Sequence, residues 1–174
     1  TNSALTIHQN VPGSGGFGCN HGSISFHGGS VFNVPFRWAM KGDDFTVRLD
    51  DSTLDASGIA ADWFITGEGD DGTRSFVFEG ARPHLKTAGT GFYLRGTAVN
   101  LVFNLGKDGF PTDRPVVDVQ GGGRFGADSR TLNTISVHVS GDCPSGVYTL
   151  MRGESAGTFI DSDCYGLTCE EGRK

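Results

Sequence analysis

The sequence predicts an all-β chain, folded as a single-domain antiparallel β-sandwich or β-barrel stapled by disulfides. Three observations carry that expectation. Apolar and polar residues alternate with period two along most of the chain, whereas no eleven-residue window shows a clear 3.6-residue apolar period. Glycine supplies 28 of 174 residues, roughly twice average usage, and clusters between the alternating segments. The cysteines number four, an even count that fits two bridges.

The alternating segments, in chain order, are 4–8, 23–27, 31–40, 45–50, 59–66, 75–79, 91–96, 97–105, 115–120, 131–140, 147–152 and 157–160. In 31–40 the residues Phe32, Val34, Phe36, Trp38 and Met40 share one side. In 45–50 the stripe is Phe45, Val47 and Leu49; further on it is Phe76 and Phe78, then Val99, Leu101, Phe103 and Leu105, then Ile135, Val137 and Val139. The opposite set holds Asn33, Arg37, Arg48, Asp62, Glu79, Arg95, Asn100, Asn104, Asp118 and His138. A sandwich turns this set to water, and a barrel of inverted polarity turns it into a lumen. Segments rich in Gly and Asp at 13–18, 41–44, 67–73, 106–112 and 121–126 read as turns, because glycine supplies the positive φ that tight turns need. The best helical candidate runs from Thr53 to Trp63, with Asp55 as a cap and Gly58 interrupting it.

Nothing divides the chain into two halves, so 1–174 reads as one domain with 170–174 as a loose tail. Cys164 and Cys169 are expected to form a local bridge and Cys19 and Cys143 a long one. Paired cysteines and a start without a basic or apolar leader segment together point to a secreted, extracellular protein. A formal charge of −6 excludes binding to bulk nucleic acid, which rests on neutralised phosphates. The sequence has no apolar run of the ~18 residues that a membrane helix needs.

Gly13-Ser-Gly-Gly-Phe-Gly18 and Gly121-Gly-Gly-Arg-Phe-Gly126 both match Gly-x-Gly-x-x-Gly. A dinucleotide loop needs that pattern between a strand and a helix, and no such unit follows. The second segment resembles the Gly-rich Arg-Phe segment of dirigent and allene oxide cyclase barrels over six residues. That resemblance implies a barrel with a usable lumen.

Candidate chemistry is sparse. Strand-borne Asp62, Glu79 and Asp118 are the acids a glycan-active hydrolase or lyase, or a lumen cyclase, would use. For a ligand site, Trp38, Trp63, Tyr93 and Tyr148 offer faces on which sugar rings stack. Trp63, Tyr93, Arg95, Arg37, Arg48 and His138 are the residues favoured as ligand contacts. The histidines lack metal-ligand spacing, so no metal residue is assigned. Calcium is the one cofactor the Asp-rich turns admit, through Asp43, Asp44, Asp50, Asp51, Asp55, Asp70, Asp71, Asp161 and Asp163. The leading expectation is therefore a secreted binding module for a glycan-like or small ligand. The alternatives are an extracellular enzyme using the strand-borne acids and an interaction protein acting as an inhibitor or effector.

Overall fold

A computed structural model describes residues 4–6, 17–19, 22–34, 38–40, 45–58, 64–66, 74–87, 91–94, 99–121, 124–127, 133–153 and 165–171. Side chains are described within 22–34, 45–58, 75–87, 100–121 and 134–153. Every described element is a strand. In chain order they are β1 (Ala4–Thr6), β2 (Phe17–Cys19), β3 (Gly22–Phe26), β4 (Val31–Asn33), β5 (Trp38–Met40) and β6 (Phe45–Asp50). Then come β7 (Thr53–Ala56), β8 (Phe64–Thr66), β9 (Arg74–Glu79), β10 (His84–Thr87), β11 (Gly91–Leu94) and β12 (Val99–Leu105). The last are β13 (Val117–Val119), β14 (Arg124–Ala127), β15 (Asn133–Val139), β16 (Met151–Gly153) and β17 (Tyr165–Glu171).

The strands form three sheets in which every described pairing is parallel, and all but β15–β17 join a strand to the third one along the chain. Sheet A is β1-β4-β7-β10-β13-β16, sheet B is β2-β5-β8-β11-β14, and sheet C is β3-β6-β9-β12-β15-β17. The chain is thus a β-solenoid whose first five coils each lay one strand on each sheet, with β16 and β17 continuing sheets A and C. This overturns the antiparallel sandwich or barrel, and with it the lumen that the Gly121–Gly126 resemblance implied. Phe125 of that segment lies in β14, in register with Phe92 of a neighbouring parallel strand.

The alternation itself is correctly read. A solenoid strand also has one face toward a core and one toward water, so period two appears whichever way the neighbour runs. Strand direction depends instead on the connections, and here each partner lies a whole coil away. In sheet A the register partners Ala4, Val31 and Thr53 are separated by 27 and 22 residues, and Thr53 and His84 by 31. Such unequal coils hide the repeat.

The inward rows make the core. Phe32, Leu54, Leu85 and Val117 stack in register on sheet A, with Val47, Phe76 and Leu101 opposite on sheet C. All seven are at most 2% exposed. Leu49, Phe78 and Phe103 form the next row of sheet C, and the Phe78 and Phe103 rings stack with centroids 4.9 Å apart. Each buried Phe or Leu contributes about 1.5–3 kcal/mol, and a stacked aromatic pair adds about 0.5–1.5 kcal/mol.

Outward residues also stand in rows. On sheet A the row Asn33, Asp55, Lys86, Asp118, Arg152 alternates in charge after its first member. Like charges side by side on adjacent strands would repel, and the alternation replaces repulsion with pairing. Arg152 holds Asp118 through Nε to Oδ1 at 3.1 Å and a second nitrogen to Oδ2 at 2.9 Å.

Four further expectations change. The 31–40 segment is two strands, β4 and β5, on different sheets. The helical candidate from Thr53 instead opens as β7, whose Leu54 and Ala56 alternate into the core. Glycine-rich 13–18 and 121–126 contribute to β2 and β14, and β17 extends to Glu171, into the expected tail.

The disulfide staple also fails. Cys143 is a free thiol. It follows β15 in the fifth coil, whereas Cys19 ends β2 in the first. Four strand spacings separate those coils, about 19 Å, against the roughly 4.4–6.8 Å between Cα atoms that a disulfide requires. The Cys164–Cys169 bridge lies outside the described residues. Among the described residues no helix is long and apolar enough to cross a membrane.

Candidate functional site

One corner of the solenoid, where the chain passes from sheet C to sheet A, changes along the stack. Its loops hold four, two and four residues after β3, β6 and β9, then eleven after β12 and eleven after β15. The early turns are tight. Asp51 adopts φ 49° between β6 and β7, and its carboxylate accepts the Arg82 backbone N–H at 2.8 Å. In repeat folds, insertions gather on one face, which is often the binding face.

The long loops enclose a groove of about 500 Å³ with the 80–83 turn. That volume lies within the ~300–1,000 Å³ of small-ligand sites. Phe110 is its floor. Only 4% exposed, it meets the core ring of Phe103 edge-on at 6.4 Å, so the loop is anchored from below. Tyr148 forms a wall. Its hydroxyl donates to the Pro144 carbonyl at 2.6 Å, and its ring lies against Gly109 and Gly146. Desolvation, with the Cys143 thiol 4.0 Å from its oxygen, raises the phenol above its usual range.

The rim is charged. Arg82 reaches Asp113 Oδ2 at 3.3 Å, with both side chains largely in water. The hydrogen bond from Arg82 holds the Asp113 carboxyl below the usual carboxylate range, so it stays ionised. Asp108 and Ser145 add an acid and a hydroxyl to the lining. Arg114 donates to the carbonyls of Pro83 at 3.3 Å and Arg82 at 2.9 Å, tying the middle loop to the 80–83 turn. An aromatic wall beside a carboxylate, a guanidinium and a hydroxyl can stack a ring and bond its substituents.

The residues expected from sequence fall elsewhere. Arg48 and His138 share the outer face of sheet C, where Arg48 donates to Glu79 Oε2 at 2.6 Å. Across that face Asp50 is in register with Glu79 and Asn104 with His138, Asn104 Nδ2 lies 3.5 Å from Glu79 Oε2, and His27 Nδ1 lies 2.9 Å from Asp50 Oδ2. Tyr93 belongs to β11 of sheet B, so it is not on that face. Arg37, Trp63, Arg95 and Asp62 lie outside the described residues. Glu79 and Asp118 belong to sheets C and A, and each is held by an arginine. These two acids are therefore not brought together.

Among the described residues no three His, Cys, Asp or Glu side chains converge on a possible metal position. Of the Asp-rich turns, Asp50 and Asp51 bond His27 and Arg82, and Asp55 accepts the Ser57 N–H at 2.9 Å. Sequence reasoning named Tyr148 but missed Arg82, Asp108, Phe110 and Asp113. The available signal was the pair of long intervals after β12 and β15, which stack only once the coil is known. No family model, curated protein or solved structure matches this chain.

Proposed function

We propose that the chain is a binding module for a glycan-like or other small ring-bearing ligand, held in the corner groove. One observation carries the reading: two consecutive coils lengthen the same corner, and their loops enclose an amphipathic groove with an aromatic wall and a charged rim. Tyr148 stacks a ring face; Asp113, Arg82, Asp108 and Ser145 bond hydroxyls around it. The proposed setting is extracellular, where glycans are displayed.

A glycan array followed by calorimetry on the best hit tests the reading. Tyr148→Ala and Asp113→Ala are each expected to weaken binding about tenfold or more, the equivalent of ~1.4 kcal/mol. Arg48→Ala, on the face of sheet C, leaves it unchanged. Binding that survives both groove variants but fails in Arg48→Ala would move the site to sheet C.

A further inference from the structure

The side chains that line the corner groove offer many hydrogen-bond acceptors and few donors. Every residue of the 80–83 turn and of the 106–116 and 140–150 loops is described, side chains included. Pro111 and Pro144 have no N–H to give. Tyr148 spends its one phenolic proton on the Pro144 carbonyl, at 2.6 Å. Arg82 turns its guanidinium to Asp113 Oδ2 at 3.3 Å, and its backbone N–H goes to Asp51 Oδ1 at 2.8 Å. Arg114 spends both terminal nitrogens on the carbonyls of Pro83 and Arg82. The hydroxyls of Thr112 and Ser145 accept as readily as they donate.

Asp108 tips this balance further. An ionised carboxylate is an acceptor only, and Asp108 is an exposed part of the lining. Among the described residues no hydrogen bond or ion pair reaches its side chain. The charged lining residues are Arg82, Asp108 and Asp113. Because Arg82 is matched to Asp113, Asp108 is the charge left over. Lys107 precedes it in the chain but is exposed and does not line the groove. A ligand that complements this surface brings donors and positive charge. An ammonium does both: it has three donors, no acceptor, and a charge-assisted bond to offer a carboxylate. It is also drawn to the face of a tyrosine ring. An anionic sugar would meet Asp108 as a like charge.

We propose that the ligand of the groove is a cationic glycan built of 2-amino-2-deoxyhexose units, whose free ammonium docks on Asp108 while the sugar ring lies against Tyr148. This rests on the glycan-binding reading of the groove and narrows it to sugars that carry an unacylated amine.

Calorimetry at pH 5.5 with three β-1,4-linked tetrasaccharides, of glucosamine, of N-acetylglucosamine and of glucose, isolates the charge. The wild-type chain is expected to bind the glucosamine tetramer about tenfold or more tightly than either neutral one, the measure of one charge-assisted hydrogen bond. Added salt should weaken that binding and leave the neutral tetramers unaffected. Asp108→Asn keeps the shape, removes the charge and should erase the preference. Asp50→Asn takes the same charge from the outer face of sheet C and should preserve it, which separates the site from general attraction to a chain of formal charge −6. No binding of the glucosamine tetramer, or a preference that Asp108→Asn leaves intact, overturns the proposal. A neutral tetramer bound as tightly as the charged one, and lost in Tyr148→Ala, overturns the ammonium and keeps the groove as a glycan site. Glucosamine binding that survives both Tyr148→Ala and Asp113→Ala overturns the groove reading and the proposal with it.

Discussion

The Tyr148 ring occupies the space that a side chain on residue 109 would need: a Cβ built on Gly109 falls 2.5 Å from the Tyr148 hydroxyl oxygen. Gly109 also has φ 65°, a conformation that costs a residue with a Cβ more than it costs glycine. The middle loop and the last loop thus interlock through a glycine and a tyrosine. Gly109→Ala is expected to displace Tyr148, weaken ligand binding and lower stability by about 1–2 kcal/mol. Urea unfolding measures the second effect and calorimetry the first. Unchanged affinity in a folded Gly109→Ala protein would separate the groove from binding.

Asp118 is the most deeply buried acid in the sheet A row, with only 5% of its side chain exposed. Desolvation works against its charge. The hydrogen bonds from Arg152 and Gln120 prevail, holding its carboxyl below the usual range. Arg152→Ala leaves a buried carboxylate with one partner fewer. Because the arginine is half in water, the expected loss is about 1–3 kcal/mol, less than for a fully buried pair. Arg82→Ala, removing the exposed pair with Asp113, should change stability far less, because water screens that pair. Chemical denaturation of the two variants side by side checks the contrast, and equal losses would refute it.

His84 sets an acid limit on the fold. Desolvation first, and the charge of Arg114 second, push its imidazole down from 6.5 to about 4. Its Nε2 is buried without a hydrogen-bond partner among the described residues. Between those pH values the unfolded chain binds a proton that the native ring refuses. Stability is therefore full above pH ~6.5 and falls as pH drops toward ~4, by on the order of 2 kcal/mol after allowing for partial solvent screening. Urea midpoints at pH 7.5 and 4.5 measure the slope, and His84→Gln should flatten it. A slope identical in wild type and His84→Gln would assign the acid sensitivity elsewhere.

Cys143 provides a check on the missing staple. Maleimide labelling of the native, unreduced protein followed by peptide mapping should find residue 143 modified. Recovery of that peptide only as a disulfide to Cys19 would restore the bridge that the coil geometry excludes. A ligand seated against Tyr148 should slow the labelling, since the thiol lies beside that ring.

The side of each strand was legible in the sequence, but the neighbour it would face was not. Phe45, Val47, Leu49, Phe76, Phe78, Leu101 and Phe103 are all buried, as their alternation implied. Arg48, Glu79, Asn104 and Asp118 stand on the outward rows, as theirs did. Parallel pairing leaves no mark within a strand, because it is decided by the path between Asp50 and Arg74 or between Leu105 and Asn133. Short strands were the hardest to see. Four residues such as His84–Thr87 show one full alternation, and Lys86 obscures it until Asp55 and Asp118 flank it. The groove was illegible for a related reason: Arg82, Asp113 and Tyr148 meet only because successive coils stack one corner above another.

The central claim is that neighbouring strands of sheet C run the same way, coil upon coil. Spin labels placed in two separate double-cysteine proteins, at Thr46 with Thr134 and at Asp50 with His138, test it most directly. Each pair spans three strand spacings in register, so dipolar spectroscopy should return similar separations of about 14 Å between backbone positions. Two clearly unequal distances, one pair near and the other a strand length farther apart, would mean antiparallel neighbours and contradict the solenoid.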